Sequence, residues 1–298
     1  MRLLRDERGE MTVAHMLVAM AIMLGVLGAT LTVFSSAEKL NRQANERVDS
    51  QDRARVALDG LAAQLRNLAS PTNDQPQAID LAGPFDLVFQ TVDRVGPNTG
   101  LNAANVMRVR YCLGSANTTA LYRQEQRWTT QVPPASPSVS TCPAAQTATG
   151  WSATSVAATD VVNRRDGLDR AMFVYNAASA SDISAVHAQL YVDGDVTRAP
   201  AEAPLSTGVF LRNQNRRPVA TFSADTSVYR TIVLNGATSA DPEGDPLEYV
   251  WLINGEKRGE GPRYDHAVAA GGTYQVQLKV YDLAKLEGVS AVQSVVVP

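Results

Sequence analysis

The carboxylates of the C-terminal third are the side chains best placed to do chemistry. Asp241, Glu243 and Asp245 alternate within Asp241-Pro242-Glu243-Gly244-Asp245-Pro246, and Asp282 closes a strand-like run further on. Together they offer the hard oxygen donors that a calcium ion takes. The same hexapeptide also reads as a turn, with Pro and Gly setting its backbone and the acids in water. The chain's two cysteines, Cys112 and Cys142, are a second candidate pair. In an oxidising compartment they would form a disulfide; elsewhere they would remain thiols. The bond would close a loop of about 30 residues, worth on the order of 3–4 kcal/mol in the chain-entropy model.

Catalytic patterns are missing from the sequence. His15, His187 and His266 have no nucleophile or acid at a motif spacing, and no phosphate loop, zinc motif or nucleophile elbow occurs. The chain therefore reads as a non-enzyme, with calcium the one cofactor suggested. A net charge of -3 with 19% charged residues gives no basis for a nucleic-acid partner.

These groups must be carried by elements, and the first element is unusual. Residues 11–34, MTVAHMLVAMAIMLGVLGATLTVF, hold no Asp, Glu, Lys or Arg. As a helix the stretch would span about 36 Å, enough to cross a hydrocarbon core of about 30 Å. Arg2, Arg5 and Arg8 precede it and favour a cytoplasmic N-terminus. The apolar run is long for a cleaved signal peptide, although Leu27-Gly28-Ala29 offers a weak site; an uncleaved signal anchor is the plain alternative.

Read as DERGEMTVAHMLVAMAIMLGVLG, the N-terminus resembles that of a type IV prepilin or a type II secretion pseudopilin. The resemblance implies a leader, residues 1–10, that a prepilin peptidase removes on the cytoplasmic face before the new amine is methylated. Gly9, Glu10 and Met11 mark the cut: the best overlay sets it after Glu10, and the family's glycine rule sets it after Gly9. It also implies partners, namely other pilin or pseudopilin subunits. Where the family has Glu at the fifth mature position this chain has His15. The family's carboxylate is held to neutralise a neighbouring subunit's amine inside the bilayer, where either charge alone is costly. His15 cannot supply that anion. A minor subunit, one at a fibre tip for instance, would not need it; a neutral, merely tolerated histidine is the plain reading.

Residues 35–70 continue as an amphipathic helix, with Val48, Val56, Leu58, Leu61, Leu65 and Leu68 recurring mostly at three- and four-residue steps. Ser70-Pro71-Thr72-Asn73-Asp74 stops it. The segment around Arg55–Asn67 resembles the J-type minor pseudopilins. Residues 71–213 then read as strands: Phe85–Gln90, Val106–Leu113, Ala120–Glu125, Ala171–Tyr175, Val186–Val192 and Ser206–Arg212. Loops are expected over Thr129–Ser140 and much of Cys142–Ser155. The fold expected is α+β, a long N-terminal helix packed on an antiparallel sheet.

Residues 214–298 form a separate all-β module. Asn254-Gly255 is a strong hairpin signal, because both residues tolerate positive φ. Leu234-Asn235-Gly236, Ser239 through Leu247, Tyr249-Val250-Trp251 and Gly272-Thr273-Tyr274 through Asp282 resemble a PKD domain. That resemblance implies an immunoglobulin-like sandwich shown on a cell surface, with Trp251 and Tyr274 in its core. It also implies contact with a glycan or protein, and some relatives bind calcium. The whole chain reads as a single-pass protein of the inner, cytoplasmic membrane with its bulk outside, on the cell surface or in a filament.

Overall fold

The computed structural model describes residues 13–93, 105–114, 118–128, 133–147, 150–165, 167–195, 197 and 202–298. The proposed leader and cut, with Gly9, Glu10 and Met11, lie outside them.

One helix, α1 (Val13–Arg66), runs unbroken for 54 residues. It contains no proline, so every turn keeps its ladder. At about 1.5 Å per residue it is about 80 Å long. Its N-terminal part is exposed and apolar, and long enough to be a single membrane span or a signal sequence. Thr30, Thr32, Ser35 and Ser36 return their hydroxyls to the Leu27, Ala29 and Thr32 carbonyls at 2.7–2.9 Å, which leaves no hydroxyl unsatisfied there.

From Ser50 onward the helix joins a core. Ala54, Ala57, Leu58, Leu61, Ala62 and Leu65 are buried, with Leu68 just past the last turn. Val48 and Val56, expected on this face, are instead 54% and 70% exposed. Ala54, Ala57 and Ala62 share the contact stripe with Leu58, Leu61 and Leu65. Ser50 Oγ donates to Asp160 Oδ2 at 2.5 Å at the point where the helix leaves the domain.

The helix covers strands β1 (Ile79–Ala82), β2 (Asp86–Val92), β3 (Val106–Leu113), β4 (Leu121–Arg127) and β5 (Ala153–Ala158). These form one antiparallel sheet in sequence order. β5 corrects the expectation of a loop through Ser155: its Ala-Thr-Ser-Val sequence is weakly patterned but pairs with β4. A two-stranded ribbon, β6 (Arg164–Arg165) and β7 (Leu168–Asp169), follows. Then β8 (Phe173–Tyr175), β9 (Ala185–Val192) and β10 (Ala203–Phe210) make a second antiparallel sheet in the order β10-β9-β8. Leu87, Phe89, Val109, Tyr111, Leu190 and Val209 close one continuous core with the helix.

The C-terminal module is a two-sheet sandwich. One sheet holds β11 (Ser223–Asp225), β12 (Thr231–Asn235) and β15 (Arg263–Ala267). The other holds β13 (Glu248–Ile253), β14 (Glu256–Glu260), β16 (Gly272–Tyr281) and β17 (Glu287–Val289), with β18 (Gln293–Val297) also on β16. Asn254 and Gly255 turn β13 into β14 with φ of 53° and 82°, the left-handed pair a tight hairpin requires.

Candidate functional site

Strand β3 alternates apolar and polar residues as a half-buried strand does, yet it is buried on both faces. Residues 133–147, with 150–151, fold back as a strap across the outer face of the sheet. Backbone laid on a sheet needs partners for its carbonyls, and the two arginines provide them. Arg110 is 1% exposed and uses all five of its N–H donors. Nε and Nη2 grip Asp86 at 2.8 and 2.5 Å. Nη1 and Nη2 then reach Gln124 Oε1, the Thr141 carbonyl and the Val139 carbonyl at 3.0, 2.8 and 3.0 Å. Arg108 pairs with Asp80 and Gln126 and donates to the Pro134 carbonyl at 3.1 Å. Gln124 exchanges two hydrogen bonds with Ala144, and Trp151 donates to the Ser138 carbonyl at 3.1 Å.

Cys112 and Cys142 are joined, with Cα atoms 5.9 Å apart, and this clip ties the strap to β3. No cysteine is left free. The arginines were hidden in an ordinary alternating pattern. The signal that reveals them is the thirty-residue spacing of the cysteines combined with Trp151 beyond a Pro-rich loop.

On the inner side, a cleft of about 340 Å³ lies between helix residues Gly60, Gln64 and Asn67 and the ends of β2 to β4. Arg123 and Arg127 line it, but Glu125 and Asp93 pair with them, so the cleft carries no net charge of its own. Beside it burial pushes the Tyr111 hydroxyl up to about 12, and the hydroxyl donates to Gln64 Oε1 at 3.0 Å.

The sandwich's acidic residues gather at the end nearest the middle domain. Asp241 Oδ1 accepts the backbone N–H groups of Glu243 and Asp245 at 2.9 and 3.1 Å, while its buried Oδ2 meets no donor. Glu243 is clamped by Arg216, whose backbone N–H and Nε donate at 3.0 and 2.6 Å. Asp282 accepts Asn215 Nδ2 at 2.6 Å and the Leu286 N–H at 2.9 Å. Burial, then the charges of Asp241, Asp282 and Glu243, hold the Asp245 carboxyl above its ordinary value. Protein donors thus occupy most of these oxygens, as in a turn. Among the described residues no three His, Cys, Asp or Glu are arranged to hold a metal.

Trp251 is fully buried between the sheets, edge-on to Phe222, with Nε1 donating to the Gly261 carbonyl at 2.9 Å. Tyr274, expected in the core, is half-buried at its margin and donates to the Ala270 carbonyl at 2.8 Å. His15 lies exposed on the apolar helix. His187 lies on the outer face of β9, and His266 on β15 is held below its usual range by burial and by Arg258. The structure does not bring the three together.

A family model described as the PKD domain matches residues 215–297, wholly within the sandwich. No curated protein matches the chain. Among solved structures, the chain is similar to the PKD1 domain of Vibrio anguillarum Epp, at 22% identity over 28% of this chain and 95% of that one, with a TM-score of 0.25. It is also similar to fibronectin(III)-like modules of Clostridium thermocellum CbhA, at 14% identity over 70% of this chain and 93% of that one, with a TM-score of 0.23. Residues 215–297 are a PKD domain.

Proposed function

We propose that the chain is a non-catalytic minor subunit of a membrane-anchored filament, of the type IV pilus or type II secretion kind, that displays its PKD domain outward for surface contact. The single observation that carries this reading is helix α1. One unbroken helix is bare and apolar in its first half and forms the core of a strand domain in its second. Such an element is suited to pack in a bilayer at one end and to carry a folded load at the other. The prepilin-like leader agrees with it, and so does the disulfide, which belongs to an oxidising compartment. A sandwich on every subunit would crowd a lattice, which favours a rare or tip position. The calcium expected from relatives remains part of this reading only as a ligand of the acidic loop.

His15 favours a second reading. Without the family's carboxylate at that position, the same chain works as an uncleaved single-pass surface protein whose PKD domain binds a partner. Quantitative mass spectrometry of filaments sheared from native cells separates the two. The filament reading predicts the chain in that fraction at a small share of the main subunit. Recovery wholly in the cell membrane would favour the second, and recovery as the main subunit would end the minor assignment.

A further inference from the structure

The middle domain passes into the sandwich through three consecutive amide residues, Asn213, Gln214 and Asn215. A linker that serves as a free tether is typically rich in Gly and Ser and leaves its side chains in water. Here Gln214 and Asn215 are 3% and 2% exposed.

Each amide reaches a different element. Asn213 Nδ2 donates to the Leu68 carbonyl at 3.1 Å, just past the end of α1. Gln214 Nε2 donates to the Ala180 carbonyl at 2.8 Å, in a single 3-10 turn before β9. Asn215 Nδ2 donates to Asp282, a carboxylate 1% exposed whose other oxygen caps the Leu286 N–H. The next residues are tied down as well, because Val219 and Ala240 exchange backbone bonds of 2.8 and 3.1 Å.

Gln214 Oε1 meets no donor in the protein. An orphaned buried acceptor costs stability that an apolar side chain would not. The bond made by the other end of that amide therefore accounts for its presence better than packing does.

We propose that Asn213, Gln214 and Asn215 form a fixed joint that holds the PKD domain at one attitude to the end of α1. The domain then works as a strut. A tethered module would instead sweep a volume and gain partners through effective concentration. This inference does not depend on the filament reading, since an uncleaved surface protein would use the same joint.

Pulsed electron-spin distance measurement on the full chain in lipid nanodiscs tests it. The native cysteines are bonded, so spin labels at Val174→Cys and Val292→Cys, both exposed, report the attitude of one unit to the other. A single narrow distance distribution is expected for the labelled parent. Asn213→Ala with Gln214→Ala should widen it about twofold or more at unchanged circular dichroism, as a freed linker would. Gln214→Glu, which keeps the size but removes the donor to Ala180, should widen it too. A broad distribution in the parent would overturn the joint. A narrow one in both variants would overturn the role of these amides, and the parent result stands even if one variant fails to fold.

Discussion

Arg110 and Asp86 meet on neighbouring strands with Nε on Oδ1 at 2.8 Å and Nη2 on Oδ2 at 2.5 Å, a two-point grip beneath a strap of backbone. Two of the remaining donors of Arg110 hold that strap and the third holds Gln124 on β4, so the ion pair and the loop stand or fall together. Asp86→Ala leaves a buried guanidinium uncompensated, which typically costs about 3–5 kcal/mol. Chemical denaturation of the chain should show that loss. A change below about 0.5 kcal/mol, the size of an ordinary surface substitution, would mean that the strap does not depend on the pair.

The disulfide makes a separate contribution. Cys112→Ser with Cys142→Ser should lower stability by about 3–4 kcal/mol through the freed loop. Hydrogen exchange should quicken at the Ala144 amide, which donates to Gln124 Oε1 at 3.0 Å in the strap. Unchanged exchange there would show that Arg108 and Arg110 suffice to hold it.

Much of this architecture is legible in the sequence, and the reasons it is not elsewhere are physical. Asn254-Gly255, Trp251 and the alternation of β16 specify the sandwich locally, because hairpin turns and inter-sheet aromatics leave short-range marks. The long apolar helix is equally plain. The strap is not, because an arginine alternating with valine looks the same whether it faces water or another stretch of backbone. Leu58, Leu61 and Leu65 mark the packed face correctly, but Val48 and Val56 mislead because Ala54, Ala57 and Ala62 complete that face and their low hydrophobicity barely registers in a periodicity.

Two substitutions probe the sandwich interior. Trp251→Ala removes its largest buried side chain and should cost about 3–5 kcal/mol, close to unfolding the module. Gly288→Ala would put a Cβ 2.0 Å from the Pro218 carbonyl oxygen, an approach only glycine allows. Backbone must shift to relieve it, so a loss of at least about 1–3 kcal/mol is expected. A melting temperature unchanged by Gly288→Ala would show that β17 does not lie against Pro218.

Asp245 gives a pH dependence of defined sign. Its folded-state pKa is raised by burial and by Asp241, Asp282 and Glu243. The folded chain therefore holds that proton more tightly than the unfolded chain does, and the site loses stability as pH rises through the folded value. Asp245→Asn should raise the melting temperature at pH 7. The gain should vanish below the ordinary carboxylate range, about pH 4. A melting temperature lowered at pH 7 would contradict the repulsion, and would indicate instead that the carboxylate is held by a cation.

The N-terminal mass of the mature protein from native membranes tests the central claim most directly. The filament account predicts a chain that starts at Glu10 or Met11 and carries a methylated amine. An intact Met1 would contradict it, and the protein would then be a membrane-anchored surface module with its leader in place.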